Sequence, residues 1–483
     1  MSRRGPLSPR QSAVHRRLSL VPTSRHSPFT RSALARRAPT PRPATHGASL
    51  LAAAAAAAAV VCVAPERAAA QDTVPAGVSV RLRYDAGARP GLAVLPVRGD
   101  NGDSLRAILA RDLDYGDRVT LATNVAGLVD AAGRVNYDAA ARAGVAGVVE
   151  AGTTHAGAIR LTLHDVARRR VALVREVPLA TPVLGPDWRL GVHAAGDEVE
   201  RWATGVPGVA ATRVLFIRDR RVWSVDSDGE NAHPLTDRGA LSPAWHPTGR
   251  AFVHSTLSDR GEQQIVARPY TALAPGGGAA GAARVLASQP VTNLTPNVSR
   301  DGSTVVFAHG VEDGSDLYTV PFDGGAARRV TVGRGSDNVS PAWGPDGRRV
   351  AFTSGRTGHP EVYIADADGT NAELLTEFDP GSQNYRSNPD WSPDGRLVAF
   401  QALVGGQFQV MTVEVRGRGV KRLTAEGRNE DPSWAPDARH VVVTSTRTGS
   451  SQLFVVDAET GRARQLTRGG AGARMAAWSP ALR

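Results

Sequence analysis

The chain has 483 residues, with 57 Lys and Arg against 46 Asp and Glu, for a formal net charge of +11. The excess is concentrated in residues 1–70, which hold 11 arginines and one acid, so the 46 basic and 45 acidic residues that follow sum to only +1. Nucleic-acid binding requires a clustered basic footprint, and this composition therefore excludes it as the leading function.

Residues 1–70 have the pattern of an export leader. An arginine- and proline-rich stretch precedes an apolar run from Ala48 to Ala64, and Ala68 to Ala70 supply the small residues of a cleavage site. The run is mostly alanine and is shorter than the roughly 20 strongly apolar residues that a permanent membrane span needs. We therefore predict an exported protein whose leader is cleaved after Ala70, together with its only cysteine, Cys62.

Residues 71–205 have the pattern of a small domain that mixes helices and strands. A short apolar strand over residues 91–96 precedes a helix that Asp103 or Ser104 can cap, and Asn136 can cap a second helix that Gly144 stops. The other predicted elements are strands near Val119–Leu121, Gly147–Glu150, Ile159–Leu163 and Val171–Val177, and a last helix over Asp187–Thr204. This alternation predicts a single α/β or α+β domain.

One short phrase recurs through residues 206–483, and its clearest copy is NPDWSPDGR from Asn388 to Arg396. The copies align on an aromatic position that is occupied by Trp245, Val298, Trp343, Trp391, Trp434 and Trp478. The spacings between these positions are 53, 45, 48, 43 and 44 residues. A period of this length is typical of a propeller with one blade per repeat.

The phase of the repeat predicts how the propeller closes. Each period holds turn signals such as Pro393-Asp394-Gly395 and enough apolar stretches for four strands. Residues 214–236 supply a second, third and fourth strand without a first, whereas residues 474–479 supply only a first strand. Joined, they complete one blade. We therefore predict a multi-domain protein whose small α/β domain is followed by an all-β six-bladed propeller, closed by its C-terminal strand.

The whole predicted mature chain resembles the TolB family. The resemblance rests on the phrases GLAVLPV, AILARDL, AGVAGVVEAG, AAGDEVERWATGVPGVAATRVLFI and AWSPAL, and on a propeller that directly follows the N-terminal domain. It implies a monomeric, non-catalytic adaptor of the Tol-Pal system in the periplasm, without a cofactor, that maintains outer-membrane integrity and envelope constriction at cell division. It also implies two partners, the peptidoglycan-associated lipoprotein Pal and the inner-membrane protein TolA.

Candidate partner-binding residues lie in two parts of the chain. In the propeller they occupy the loops that join each fourth strand to the next first strand, because these loops emerge together on one face: Arg238, Asn293, Thr295, Asp337, Asn338, Arg386, Asn388, Asn429, Glu430 and Arg474. In the tail, Val78, Val80, Arg81 and Leu82 resemble the segment that binds TolA in the family, although Gln71–Gly77 precede them here.

Two other functions are alternatives to the adaptor. A serine peptidase would need a Gly-x-Ser-x-Gly elbow within a hydrolase domain, and the sequence has neither. A glycan-binding protein or lyase that acts from the central channel would need a convergent cluster of His, Arg and carboxylate groups, and this alternative stays open. The calcium-like phrases Asp226–Gly229 and Asp366–Gly369 place Gly fourth rather than sixth, so we predict hairpin turns and no metal site.

Overall fold

The computed structural model describes residues 89–97, 99–270, 282–289, 291–333, 336–376 and 385–482. All of them belong to one structural unit, Val74–Arg483. The predicted leader and the tail residues Val78, Val80, Arg81 and Leu82 lie outside the described residues. Predictions that concern those segments therefore stay predictions, as do the proposed domain boundaries.

A mixed five-stranded sheet with three helices forms the first part of the described chain, here called the α/β layer. The strand order is β2-β1-β3-β4-β5, with β1 parallel to β2 and β3, and with antiparallel pairing from β3 to β5. Apolar side chains of α1 and α3 pack with strand residues into one core. The elements are β1 (Gly91–Val94), α1 (Gly102–Tyr115), β2 (Thr120–Leu121), α2 (Tyr137–Arg142), β3 (Gly147–Thr153), β4 (Ala158–Asp165), β5 (Arg170–Pro178) and α3 (Pro186–Thr204).

The ends of the helices test the predicted caps. The Asn136 side chain accepts a hydrogen bond from the backbone N–H of Ala139 at 3.0 Å, which confirms it as the cap of α2. The prediction that Asp103 or Ser104 caps α1 is wrong, because the helix starts at Gly102 and Asn101 is its N-cap. A side chain at position 102 would collide with the carbonyl oxygen of Val97, so only glycine admits this earlier start.

Six four-stranded antiparallel sheets follow, which confirms the predicted propeller. Blade 1 contains β29 (Arg474–Trp478), β6 (Arg213–Arg218), β7 (Arg221–Asp226) and β8 (His233–Pro234); blade 2 contains β9 (Leu241–Trp245), β10 (Ala251–Leu257), β11 (Gln263–Pro269) and β12 (Arg284–Gln289). Blade 3 contains β13 (Asn293–Val298), β14 (Thr304–Val311), β15 (Gly314–Pro321) and β16 (Arg328–Arg329); blade 4 contains β17 (Asn338–Trp343), β18 (Arg349–Ser354), β19 (Glu361–Asp366) and β20 (Glu373–Leu374). Blade 5 contains β21 (Arg386–Trp391), β22 (Leu397–Val404), β23 (Gln407–Glu414) and β24 (Val420–Arg422); blade 6 contains β25 (Asn429–Trp434), β26 (His440–Ser445), β27 (Gln452–Asp457) and β28 (Ala463–Gln465).

The last strand closes the ring, as the sequence predicted. In blade 1, β29 pairs antiparallel with β6, so that Trp478 lies opposite Val214. The indole Nε1 of Trp478 donates a hydrogen bond to the Thr212 hydroxyl at 2.8 Å, and the ring is buried in the apolar cluster between blades 6 and 1. The β6 edge is therefore paired, and blade 1 has the same four strands as the other blades.

Every first strand carries a β-bulge that the sequence analysis did not predict. The register between first and second strands shifts in each blade. At each shift one residue adopts a left-handed backbone with φ between 46° and 53°: Ser242, Thr295, Ser340, Asn388, Asp431 and Met475. Proline follows in five of the six blades. The bulge explains how proline is tolerated inside the innermost strand.

The α/β layer contacts the propeller through polar groups. Arg111 and Arg189 of the layer form ion pairs with Asp228, in the turn after β7. Arg462, in the turn after β27, lies 2.8 Å from the Asp114 carboxylate. Among the described residues, each apolar cluster lies wholly within the layer or wholly within the propeller. Because these turns join third to fourth strands, the layer lies against blades 1 and 6 on the face opposite to the one where the first strands begin.

Candidate partner-binding face and central channel

The ten predicted propeller residues lie on a single face of the ring. Five of them are the first residue of a first strand, namely Asn293, Asn338, Arg386, Asn429 and Arg474. The other five, Arg238, Thr295, Asp337, Asn388 and Glu430, lie within three residues of such a start. We call this surface, together with the turns between second and third strands, the first-strand face.

Three predicted asparagines are buried within this face. The side chains of Asn293, Asn338 and Asn429 are fully buried. Each Nδ2 donates a hydrogen bond to the third strand of the preceding blade, as in the bond of 2.8 Å from Asn338 to the Asp316 carboxylate. They thus tie neighbouring blades together, and a partner would meet the groups that they position.

Two arginines that the sequence analysis missed are held by these asparagines. Arg356 Nε donates to the Ser354 hydroxyl at 2.9 Å, and Arg447 Nε donates to the Ser445 hydroxyl at the same distance. A second guanidinium nitrogen of each reaches the Oδ1 of Asn338 or Asn429, at 3.4 and 3.1 Å. The signal was present in the sequence as a repeated phrase, TSGRTG from Thr353 and TSTRTG from Thr444.

Aromatic rings support the same two guanidinium groups. The guanidinium carbon of Arg356 lies 4.5 Å from the ring centroid of Tyr363, and that of Arg447 lies 4.6 Å from Phe454. Arg218 and Arg428 stack in the same way in blades 1 and 5, on Trp223 at 5.3 Å and on Phe408 at 5.2 Å. Stacking on an aromatic face fixes a long side chain that would otherwise be mobile.

The predicted residue Arg386 has a carboxylate partner instead. Its Nη1 lies 3.0 Å from Glu361, whose side chain is fully buried at the start of β19. His359 also approaches Glu361, at 3.2 Å. Removing Arg386 would therefore leave a buried carboxylate with fewer partners, which is costly in a protein interior.

Large apolar side chains are exposed on the first-strand face. Val332 is 78% exposed, and Tyr385, Leu403 and Val404 are each exposed by more than a third. The Tyr385 ring packs edge-on against Phe408 at 5.2 Å, so this apolar surface is continuous with the Arg428 stack. Exposed apolar groups within a polar rim are typical of a protein-binding surface.

Thr295 and Asn388 line the channel. Both lie at bulges, where a chain of hydrogen bonds crosses from blade to blade. The Ser340 hydroxyl donates to Asn388 Oδ1 at 2.9 Å, and Asn388 Nδ2 donates to the Asp431 carboxylate at 2.8 Å. The backbone N–H of Ser340 donates to the Thr295 hydroxyl at 3.2 Å. These two residues therefore stabilise the channel wall.

The channel contains two cavities, of about 180 and 160 Å³. The repeated tryptophans line the first, and the bulge residues line the second. Burial raises the pKa of Asp390, which borders both, to about 6, although a hydrogen bond from the Trp434 N–H opposes the shift. Besides Asp390, the charged lining residues are Asp431 and Arg300, and within the described part of the chain no histidine lines either cavity. The described lining therefore offers two carboxylates and one arginine but no imidazole.

Two groups of acidic residues and histidine lie on the side of the α/β layer. One contains Asp112, His193 and Asp228, and the other contains Asp117, His440 and Asp457. Arginines already pair with carboxylates of both groups, Arg189 with Asp228 and Arg439 with Asp457. Their arrangement is that of ion-pair networks joining the layer to the propeller.

Within the described ranges, no helix has both the length and the apolar character of a membrane span.

The chain matches the family described as "TolB beta propeller domain" over residues 200–482.

Curated relatives resemble part of the chain. The Tol-Pal system protein TolB of Anaeromyxobacter dehalogenans (strain 2CP-C) is 34% identical over 178 residues, which cover 35% of this chain and 38% of that protein. The protein of the same name from Polaromonas naphthalenivorans (strain CJ2) is 31% identical over 105 residues, 20% of this chain and 24% of the relative. These matches therefore span well under half of the relatives' own length.

A solved structure shares the fold over most of the chain. The crystal structure of TolB from Acinetobacter baumannii superposes with a TM-score of 0.70 and 22% sequence identity. The superposition covers 81% of this chain and 97% of that one. The shared architecture thus includes elements outside the propeller as well.

Proposed function

The chain belongs to the TolB β-propeller family, and on that basis we propose that it is a non-catalytic periplasmic adaptor of a Tol-Pal system. Its first-strand face would bind the lipoprotein Pal and compete with Pal's attachment to peptidoglycan. Inner-membrane partners would release it during envelope constriction. The proposal concerns the whole protein, whereas the curated relatives are matched only in part.

The exposure and the mixed composition of the first-strand face support this proposal. The contacts of the α/β layer lie on the opposite face, at Asp228 and Arg462. The first-strand face combines exposed apolar side chains with ordered polar groups, whereas the channel lining offers two carboxylates and one arginine. A broad face of this mixed character suits a protein ligand better than a small substrate.

A second contact is proposed for the tail. Val78, Val80, Arg81 and Leu82 precede the first described residue, Arg89, and would bind a TolA-like inner-membrane protein. Support for this part of the proposal is the resemblance of the segment itself. Deleting residues 71–82 should abolish binding of TolA and leave Pal binding intact.

Titration calorimetry tests the central claim. The full chain, exported and purified from the periplasm, is titrated with the soluble domain of the Pal-like lipoprotein from the same genome. We expect saturable one-to-one binding that weakens about tenfold or more when Asn338 and Arg386 are both changed to alanine, because Asn338 holds the Arg356 guanidinium at this face and Arg386 is paired with Glu361 there. A tenfold loss corresponds to about 1.4 kcal/mol. The matched control changes Asp346 and Arg348, which are exposed on the opposite face, to alanine.

Absence of any complex at high concentration would contradict the adaptor function for this chain. Equal weakening by the test and control variants would instead contradict the choice of face. Thermal unfolding of each variant separates loss of binding from loss of folded protein.

A further inference from the structure

We propose that an arc of stacked arginines on blades 4, 5, 6 and 1 binds a carboxylate-rich patch on the protein partner and fixes the orientation in which that partner sits. This inference rests on the proposed function, because it specifies the chemistry of the partner at the same face. The arc comprises Arg356, Arg428, Arg447 and Arg218.

These guanidinium groups are ordered before any partner binds. The guanidinium groups of Arg356 and Arg447 each contact an aromatic ring, a serine hydroxyl and an asparagine oxygen. Arg218 stacks on Phe216 as well as on Trp223 and donates from Nε to the Gly472 carbonyl at 3.4 Å. A pre-ordered arginine loses little conformational entropy on binding, which favours affinity.

Three of the four arginines form no ion pair with a carboxylate of the described residues. Among the residues that the structure describes, no carboxylate oxygen lies within 4.0 Å of Arg218, Arg356 or Arg447. Arg428 does pair with Glu430, at 2.6 Å. Other arginines at the same face, such as Arg329 with Asp316, are neutralised by buried acids. A stacked guanidinium that still lacks an anion is suited to recognise one.

The rest of the face, on blades 2 and 3, has an excess of acidic residues. The acids of its turns are Asp259, Glu262, Glu312, Asp313 and Asp337. The basic residues are Arg260, Arg334 in the same stretch of sequence as Asp337, and Arg329, which is paired with Asp316. A uniformly anionic ligand such as a nucleic acid or an anionic membrane would be repelled by this sector. The divided charge therefore favours a protein that presents acids toward the arginine arc and neutral or basic groups toward blades 2 and 3.

The exposed apolar surface lies beside the arginine arc. Tyr385, Phe408 and Arg428 form one continuous stack, and Leu403 and Val404 are exposed on the adjoining turn of blade 5. An apolar contact flanked by arginines excludes water from the charged pairs and strengthens them. This arrangement is again that of a protein interface.

The test compares two pairs of arginines by calorimetry, with the full chain and the soluble domain of the Pal-like lipoprotein. In the double variant Arg356→Ala and Arg447→Ala we expect binding to weaken ~10- to 100-fold, because each alanine removes an ordered charge from the interface. The control double variant Arg396→Ala and Arg416→Ala removes the same charge from exposed positions on the opposite face and should bind like the wild type. Raising the salt concentration should weaken the wild type more than the test variant.

A second pair of variants keeps the test valid if the alanines impair folding. Arg356→Lys with Arg447→Lys retains both charges but loses the stacked geometry, so we expect an intermediate loss of ~3- to 10-fold in a protein that unfolds like the wild type. Replacing acidic residues on the partner by lysine should weaken binding to the wild type and much less to the alanine variant.

The outcomes separate this inference from the proposed function. Wild-type binding that is unaffected by any arginine substitution would overturn the arginine arc and leave the adaptor function in place. Equal loss in the opposite-face control would also overturn the arc, since net charge alone would then explain the effect. No binding by the wild type would overturn the proposed function itself.

Discussion

His440, the first residue of β26, lies between two carboxylates from distant parts of the chain. Its Nδ1 is 2.8 Å from Asp437, and its Nε2 is 3.4 Å from Asp117 of the α/β layer. Burial lowers the pKa of this imidazole, but the hydrogen bonds to Asp117 and Asp437 outweigh burial and raise it to about 9, against a weaker opposing effect of Arg464. In the folded protein His440 is therefore an imidazolium at neutral pH.

We expect this ion cluster to make stability depend on pH. The stabilisation is complete below the ordinary pKa of 6.5 and is lost as the pH rises through about 9, where the folded protein releases the proton. Its size is on the order of 3 kcal/mol. In urea unfolding, the free energy of unfolding of the wild type should exceed that of His440→Gln at pH 6, and this difference should shrink at pH 9.

The exposed His155 provides the control for that experiment. His155→Gln should unfold like the wild type at both pH values. If the difference in the free energy of unfolding between the wild type and His440→Gln stays constant from pH 6 to pH 9, His440 is not a charged imidazolium paired with both carboxylates.

At the residue scale, the repeat predicts where the candidate face lies, but it does not predict which side chains are exposed there. The start of each first strand follows from the repeat, and Asn338 and Asn429 are the first residues of β17 and β25. Their burial could not be foreseen, because it depends on how neighbouring blades meet, as in the bond from Asn338 to Asp316. Arg356 and Arg447 were missed because cation–π stacking joins residues of different strands.

At the scale of elements, the innermost strands show what a repeat can predict. Blade number, strand order and closure follow from phase and spacing alone, and all three are confirmed. The bulges were missed, although a proline in the middle of an inner strand, such as Pro389, indicates one. The cap of α1 was assigned wrongly because tertiary contact with Val97, not local preference, sets where that helix begins.

The closing strand gives a prediction at this scale. Trp478 is 6% exposed and bonds to Thr212, so Trp478→Ala should remove both the packing and the hydrogen bond that hold β29 in blade 1. We expect a loss of about 3–5 kcal/mol in the free energy of unfolding. Denaturant unfolding measures it.

Val332→Ala is the matched control, because that side chain is 78% exposed. It should change the free energy of unfolding by roughly 0.5 kcal/mol or less. A loss below about 1 kcal/mol for Trp478→Ala would show that ring closure contributes little to stability.

At the scale of the whole molecule, charged groups rather than a shared core join the α/β layer to the propeller. Asp228 has a fully buried carboxylate that pairs with Arg111 and Arg189, and His193 lies 3.6 Å away. The same carboxylate thus serves three groups of the layer. Among the described residues, removal of Asp228 leaves Arg111 and Arg189 only their longer pairs, with Glu230 and Asp226, and leaves His193 paired with Asp112. Loss of one partner from a buried ion-pair network is strongly destabilising.

We therefore expect Asp228→Asn to uncouple the two parts of the molecule. The substitution should weaken their contact by about 3–5 kcal/mol and replace a single calorimetric transition by two. Asp368→Asn is the control, because Asp368 occupies the same turn position in blade 4 and, among the described residues, accepts its side-chain hydrogen bonds from Thr370 of its own turn. One unchanged transition in Asp228→Asn would show that the contact does not depend on this carboxylate.

The partnership of β29 with β6 also constrains the order of events during synthesis. Arg474 lies opposite Ile217, so one sheet joins segments that are made more than 250 residues apart. Blades 2 to 6 can form as their hairpins emerge, but the ring cannot close until β29 has been made. Until then the edge of β6 and the apolar surface that Trp478 covers remain open to other chains, so we expect a nascent or stalled chain to aggregate most readily just before β29 appears.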